Sequence, residues 1–166
     1  MTQFKLKSLS SEAIERALKR AEHYRFLNDP VQAESICRDV LATDAGNQSA
    51  LITLILALTD EFKTQRAAAS VKEARKHVGE LVSEYHRLYY SGIIAERQAR
   101  AYLSRSSPGH YAYDALREAM KYYEEAERLH SAGDEDAVLR WNSCVRTIQE
   151  DGLEPEAPGQ TANMQE

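Results

Sequence analysis

Cysteine is scarce, at 2 of 166 residues, and so are glycine, at 7, and proline, at 4. Two cysteines, Cys37 and Cys144, cannot form a disulfide framework, and each falls on the apolar side of a helical pattern, where a free thiol packs as a small hydrophobe. So few breakers exclude collagen-like and low-complexity chains and leave room for long helices. Long apolar runs are missing as well. The most apolar stretch, LITLILAL over 51–58, is far shorter than the ~20 residues needed to cross a bilayer, so it reads as a core helix. Cations are not in excess either: 21 Lys and Arg stand against 26 Asp and Glu, for a net charge of −5. That balance argues against nucleic acid as partner, since phosphate-backbone affinity comes from clustered cations. The N-terminal MTQFKLKSLS carries Lys5 and Lys7 with no apolar stretch behind them, so a cytoplasmic protein without a membrane segment is expected.

Motifs of chemistry are equally sparse. GxxxxGK, GxGxxG and GxSxG do not occur, no two of the five histidines form HExxH, and neither cysteine has a CxxC companion. Glu127 and His130 make one ExxH, with Glu84, Glu96 and Glu124 on neighbouring expected helices, but a carboxylate di-iron bundle needs two such pairs facing one another. No catalytic residue, metal or cofactor is therefore expected, and the chain is read as a non-enzyme.

What the sequence does contain is helical periodicity. Ala13, Ile14, Ala17, Leu18, Ala21 and Tyr24 recur three and four apart and predict a first helix over 13–24. Asp29, Pro30 and Gln32 open a second as cap, first-position proline and capping-box partner, and it runs to about Thr43. Asn47 precedes a third over 49–60, apolar all round, which must be covered on more than one side. A fourth is expected over 64–82 with Gly79 as terminator, a fifth over 83–103, a sixth over about 108–129 after the SRSSPG turn, and a seventh over 134–149 following Gly133. No segment alternates with strand periodicity. One domain over 11–150 is expected, preceded by a partly ordered segment over 1–10 and followed by an acidic, disordered tail over 151–166.

The helices also repeat. Ala17, Ala21, Tyr24, Ala33, Cys37 and Ala45 occupy, in order, the points where the 34-residue tetratricopeptide pattern places tryptophan, glycine, tyrosine, alanine, phenylalanine and proline. Advancing 34 residues from each gives Leu51, Ile55, Leu58, Ala67, Val71 and Gly79, which keep the small or apolar character. Beyond Leu81 the period slips: Leu88, Gly92 and Ala95 fit a third unit displaced by three residues, and Trp141, Cys144, Val145 and Ile148 resemble the first helix of a fourth. The chain thus resembles tetratricopeptide repeat proteins, and AESICRDVLATD, LITLILALTD and LRWNSCVRTI are similar to a bacterial family with this arrangement. The resemblance implies an all-α superhelix of about seven helices, three repeats plus a capping helix, that binds other proteins.

In such stacks the first helix of each pair lines a concave groove. Carried over residue by residue, the resemblance points to Glu22, Arg25 and Phe26 on the first helix, Thr59 on the third, Tyr89, Tyr90, Ile93 and Arg97 on the fifth, and Asn142 and Arg146 on the seventh. Arginine, asparagine and tyrosine suit an extended peptide, donating to its backbone and to an acidic side chain or C-terminal carboxylate. Leu18 and Glu22 stand where the chaperone-binding members present a lysine and asparagine clamp, so a chaperone tail is disfavoured. Eight of the nine tyrosines fall between Tyr85 and Tyr123, either as space-fillers between long helices or as a recognition surface. The expected function is a non-catalytic adaptor or scaffold that holds a peptide or helix. The alternatives are a self-associating structural subunit, pairing through helix six or seven with a second copy, and a metal-dependent helical-bundle enzyme.

Overall fold

The computed structural model describes residues 4–158. Among the described residues there are seven α-helices and no strand: α1 Ile14–Phe26, α2 Pro30–Thr43, α3 Gln48–Asp60, α4 Ala67–Val78, α5 Glu84–Ser104, α6 Gly109–Glu127 and α7 Asp136–Glu150, with a 3₁₀ turn Ser11–Ala13 before α1. The chain divides into two compact units, Met1–Ser83 and Glu84–Glu166. The division falls where the 34-residue period slips.

In the first unit, local chemistry sets the helix ends. The Asp29 carboxylate accepts from the Gln32 amide at 3.2 Å and Pro30 occupies the first turn of α2, while Asn47 Oδ1 accepts from the Ala50 amide at 2.9 Å at the start of α3. Each such cap satisfies an amide that a helix otherwise leaves orphaned. α1 closes with Asn28 at φ +58°, the Leu27 amide bonded to the His23 carbonyl and the Asp29 amide to that of Tyr24. This left-handed closure carries α1 two residues past Tyr24 and turns the chain back into α2.

α4 is shorter than its periodicity predicts at both ends. The Thr64 hydroxyl donates to the Glu61 carbonyl and accepts from the Arg66 amide, which holds 61–66 in turns. At the other end, the amides of Gly79, Glu80 and Leu81 bond three residues back, and Gly79 stays at φ −62°. Gly79 thus ends α4 as its C-cap, in a right-handed rather than a left-handed conformation.

Consecutive helices α1 to α4 pack on one another, and α1 also meets α3. α3 supplies the core: Leu51, Leu54, Ile55 and Leu58 are at most 1% exposed, beside Cys37, Val40, Phe62, Ala74 and Leu81. Burying each such side chain contributes about 1.5–3 kcal/mol. Among the described residues, side-chain contacts join positions 34 or 35 apart, including Arg25 with Asp60, Arg38 with Glu73, the Thr43 hydroxyl with the Leu9 carbonyl, and Gln48 Oε1 with the Val82 amide.

The second unit is α5 packed on α6 and α6 on α7. Gly92 lets α5 and α6 approach, since a Cβ there would lie 2.5 Å from Tyr123 Cε1. The α5–α6 turn repeats the α1–α2 device with Ser106 at φ +54° and the Ser107 amide bonded to the Tyr102 carbonyl. α6 ends at Glu127, two residues before Leu129, which is 46% exposed, and Gly133, at φ +84°, lies in the turn beyond.

Asp151, Gly152 and Leu153, assigned to the tail by composition, instead complete α7. Gly152 is at φ +58°, the Leu153 amide bonds to the Ile148 carbonyl at 3.0 Å, and a Cβ at Gly109 would lie 3.6 Å from Leu153 Cδ2. Residues 1–3 of the expected N-terminal segment and 159–166 of the expected tail lie outside the described residues.

Candidate functional site

Between α1 and α3, which touch in the first unit, lies a cleft of about 350 Å³. Ile52, Thr53 and Leu56 of α3 face Glu22, Arg25 and Phe26 of α1, with Asn28 and Asp60 at the helix ends. Arg25 is half-buried and held fork to fork: Nε donates to Asp60 Oδ2 at 2.8 Å and Nη2 to Oδ1 at 3.3 Å. Paired geometry of this kind fixes both side chains and neutralises their charges, using two of the five guanidinium N–H donors. Phe26 is 89% exposed at the mouth. Leu27, the next residue, is 60% exposed.

Elsewhere in the first unit, a buried carboxylate is shared by two half-exposed arginines. Glu34 accepts from Arg38 at 2.8 Å and from Arg66 at 3.2 Å, and Arg38 reaches Glu73 at 2.7 Å. Burial alone would raise the Glu73 carboxyl, but the Arg38 guanidinium and the His77 ring outweigh it and hold that carboxyl below the usual range.

The second unit is organised around a buried carboxylate. Glu96, 1% exposed, accepts from the Tyr123 hydroxyl at 2.8 Å, from Arg100 at 2.6 Å and from Arg140 of α7 at 3.4 Å. Arg140 also acts on the Tyr89 hydroxyl. Burial, then the Glu96 charge, pushes the Tyr123 hydroxyl far above its ordinary value, so it remains a donor. Tyr85 stacks on Tyr89 at 5.8 Å and donates to Asp134 at 3.1 Å. Burial pushes the thiols of Cys37 and Cys144 up to about 12, which leaves almost no thiolate at neutral pH.

Of the residues singled out from the sequence, Glu22, Arg25 and Phe26 come together in the α1–α3 cleft. Thr59 does not join them: it is 3% exposed and its hydroxyl donates to the Leu56 carbonyl at 2.7 Å. Ile93 is likewise a core residue, 1% exposed, and has no surface to offer. Both misplacements have one cause, since a helix covered on two sides has no single wet face for a repeat register to mark. Tyr89 and Tyr90 meet edge to face at 5.2 Å, both half-buried, and Arg97 is half-buried on α5. Asn142 is half-buried and Arg146 exposed on α7.

Sequence reasoning missed Asp60 as the partner of Arg25, and Ile52 and Leu56 as cleft walls. It also weighed Glu96 only as a metal ligand. The signal for Asp60 was available in its 35-residue offset from Arg25; no local pattern marks Glu96. A second, wider depression of about 620 Å³ between α6 and α7 is lined by Arg117, Lys121, Glu124 and Trp141, among others.

No protein-family model, curated protein or solved structure matches this chain.

Proposed function

We propose that the chain is a non-catalytic protein-interaction module, a tetratricopeptide-like array in which the α1–α3 cleft receives an extended peptide or the end of a helix. The observation that carries this reading is an 89% exposed phenylalanine at the mouth of a cleft walled by Ile52 and Leu56 and stiffened by the Arg25–Asp60 pair. An aromatic anchor beside an apolar wall and a fixed polar pair is the composition of an interface hot spot. The contacts between residues 34 or 35 apart support the repeat, because a stack nests each helix against its counterpart one period on.

The test is retention of the native partner by the immobilised full chain and by Phe26→Asp. Phe26 is so exposed that the substitution removes little buried surface, so the far-UV helical signal should stay and the partner should be lost. Equal retention by both would overturn the cleft assignment.

A second reading, self-association through α7, is favoured by Leu139, 63% exposed, beside the partly exposed Trp141. Light scattering at micromolar concentration separates the two: a mass of two chains that falls to one in Leu139→Asp would support self-association, and a monomer would overturn it.

A further inference from the structure

The charge of whatever enters the α1–α3 cleft can be argued from how its own charges are disposed, and this step rests on the peptide-binding reading above. Two carboxylates, Glu22 and Asp60, line the cleft against one guanidinium, Arg25. Arg25 and Asp60 neutralise each other at 2.8 and 3.3 Å. Glu22 is exposed on the rim. The cleft also reaches the C-terminal ends of α1 and α3, with Asn28 just past one and Asp60 the last residue of the other. Helix C-termini carry about half a negative charge each and favour cations within the last turn. With Arg25 and Asp60 paired, the charge left over on the cleft lining is the single negative one of Glu22, on which Lys19 acts from one turn back along α1.

We infer that the cleft takes an extended segment of another protein in which a lysine or arginine stands next to a large apolar side chain. The apolar side chain lies against Ile52, Leu56 and Phe26, and the cation meets Glu22 and the two helix ends. This reverses the acidic or C-terminal-carboxylate partner expected from the presence of Arg25 alone, because Asp60 already balances the guanidinium charge.

The experiment is fluorescence anisotropy of two labelled, end-blocked peptides titrated with the full chain: FKLKSL, whose alternation matches residues 4–9 of this chain, and FELESL, identical in its apolar residues. The expected result is a preference of about tenfold or more for the lysine peptide, the scale that one well-placed charge supplies in discrimination. That preference should shrink with added salt and vanish in Glu22→Lys, and binding of both peptides should weaken in Phe26→Asp. Equal or tighter binding of FELESL, still dependent on Phe26, would overturn the charge assignment and leave the peptide reading standing. Binding of neither peptide, or binding indifferent to both substitutions, would overturn the charge assignment, and retention of the native partner by the wild-type chain then judges the peptide reading by itself. A full chain that runs as a dimer and becomes monomeric in Phe4→Asp would place a second copy in the cleft and overturn the assignment to another protein.

Discussion

The two units solve one problem, holding consecutive helices together, with opposite chemistry. In the first, the core around α3 is apolar and the carboxylates pair with arginines that remain in water: Glu34, with 10% of its side chain exposed, is shared by Arg38 and Arg66, both nearly half exposed, and Arg38 reaches the more exposed Glu73. In the second, the charge is inside: Glu96 has 2% of its side chain exposed and ties α5 to α6 through Tyr123 and to α7 through Arg140. The same residue types thus carry very different weight, because the interaction of a charge depends on how much water surrounds it. A peripheral pair can be lost almost unnoticed, whereas a buried carboxylate cannot lose its partners, nor they it.

Removing Glu96 should therefore be the most damaging single change. Glu96→Ala strands the Tyr123 hydroxyl and Arg140 and is expected to cost about 3–5 kcal/mol, read as a fall in the urea midpoint. A loss under 1 kcal/mol would mean that the second unit is held by its apolar contacts alone. Gly92→Ala comes next. The new methyl would meet the Tyr123 ring at 2.5 Å, and forced repacking there is expected to cost about 1–3 kcal/mol in the same measurement. In the first unit, Asp29→Ala removes the cap of α2 and should cost about 1 kcal/mol.

The smallest effect is expected at Glu73, the peripheral counterpart of Glu96. Its carboxyl is lowered in the folded chain, so its contribution is present above the ordinary carboxylate value and lost as pH falls through the folded one. Glu73→Gln should lower stability by less than about 1 kcal/mol at pH 7. Thermal melts of the two proteins should converge as the pH drops below ~4, the ordinary carboxylate range. A gap at pH 7 as large as that of Glu96→Ala would erase the distinction between the units.

Much of the helical layout was legible in advance. Asp29, Pro30 and Asn47 announced α2 and α3, and the all-round apolarity of 51–58 announced the helix at the centre of the first unit. The closures at Asn28 and Ser106 were less visible, since neither is the glycine that commonly marks a left-handed residue. The Gly-Leu pair at 152–153 was a readable closure signal, overlooked because the surrounding composition reads as a tail. Of the candidate site, one wall was legible in Glu22, Arg25 and Phe26. The facing wall was not, because Ile52, Leu56 and Asp60 look from sequence like any other part of a buried helix.

Helix formation is a contest among neighbours within a few residues, so spacing, caps and breakers were enough to place all seven helices along the chain. The fate of a charge is settled by whichever distant group comes within about 3 Å of it. Residue order alone could not show that Arg25 would be taken by Asp60, that Glu96 would be sealed between Tyr123 and two arginines, or that Thr59 and Ile93 would turn inward. Those outcomes depend on packing between helices, where a rotation of a fraction of a turn exchanges a wet side chain for a dry one.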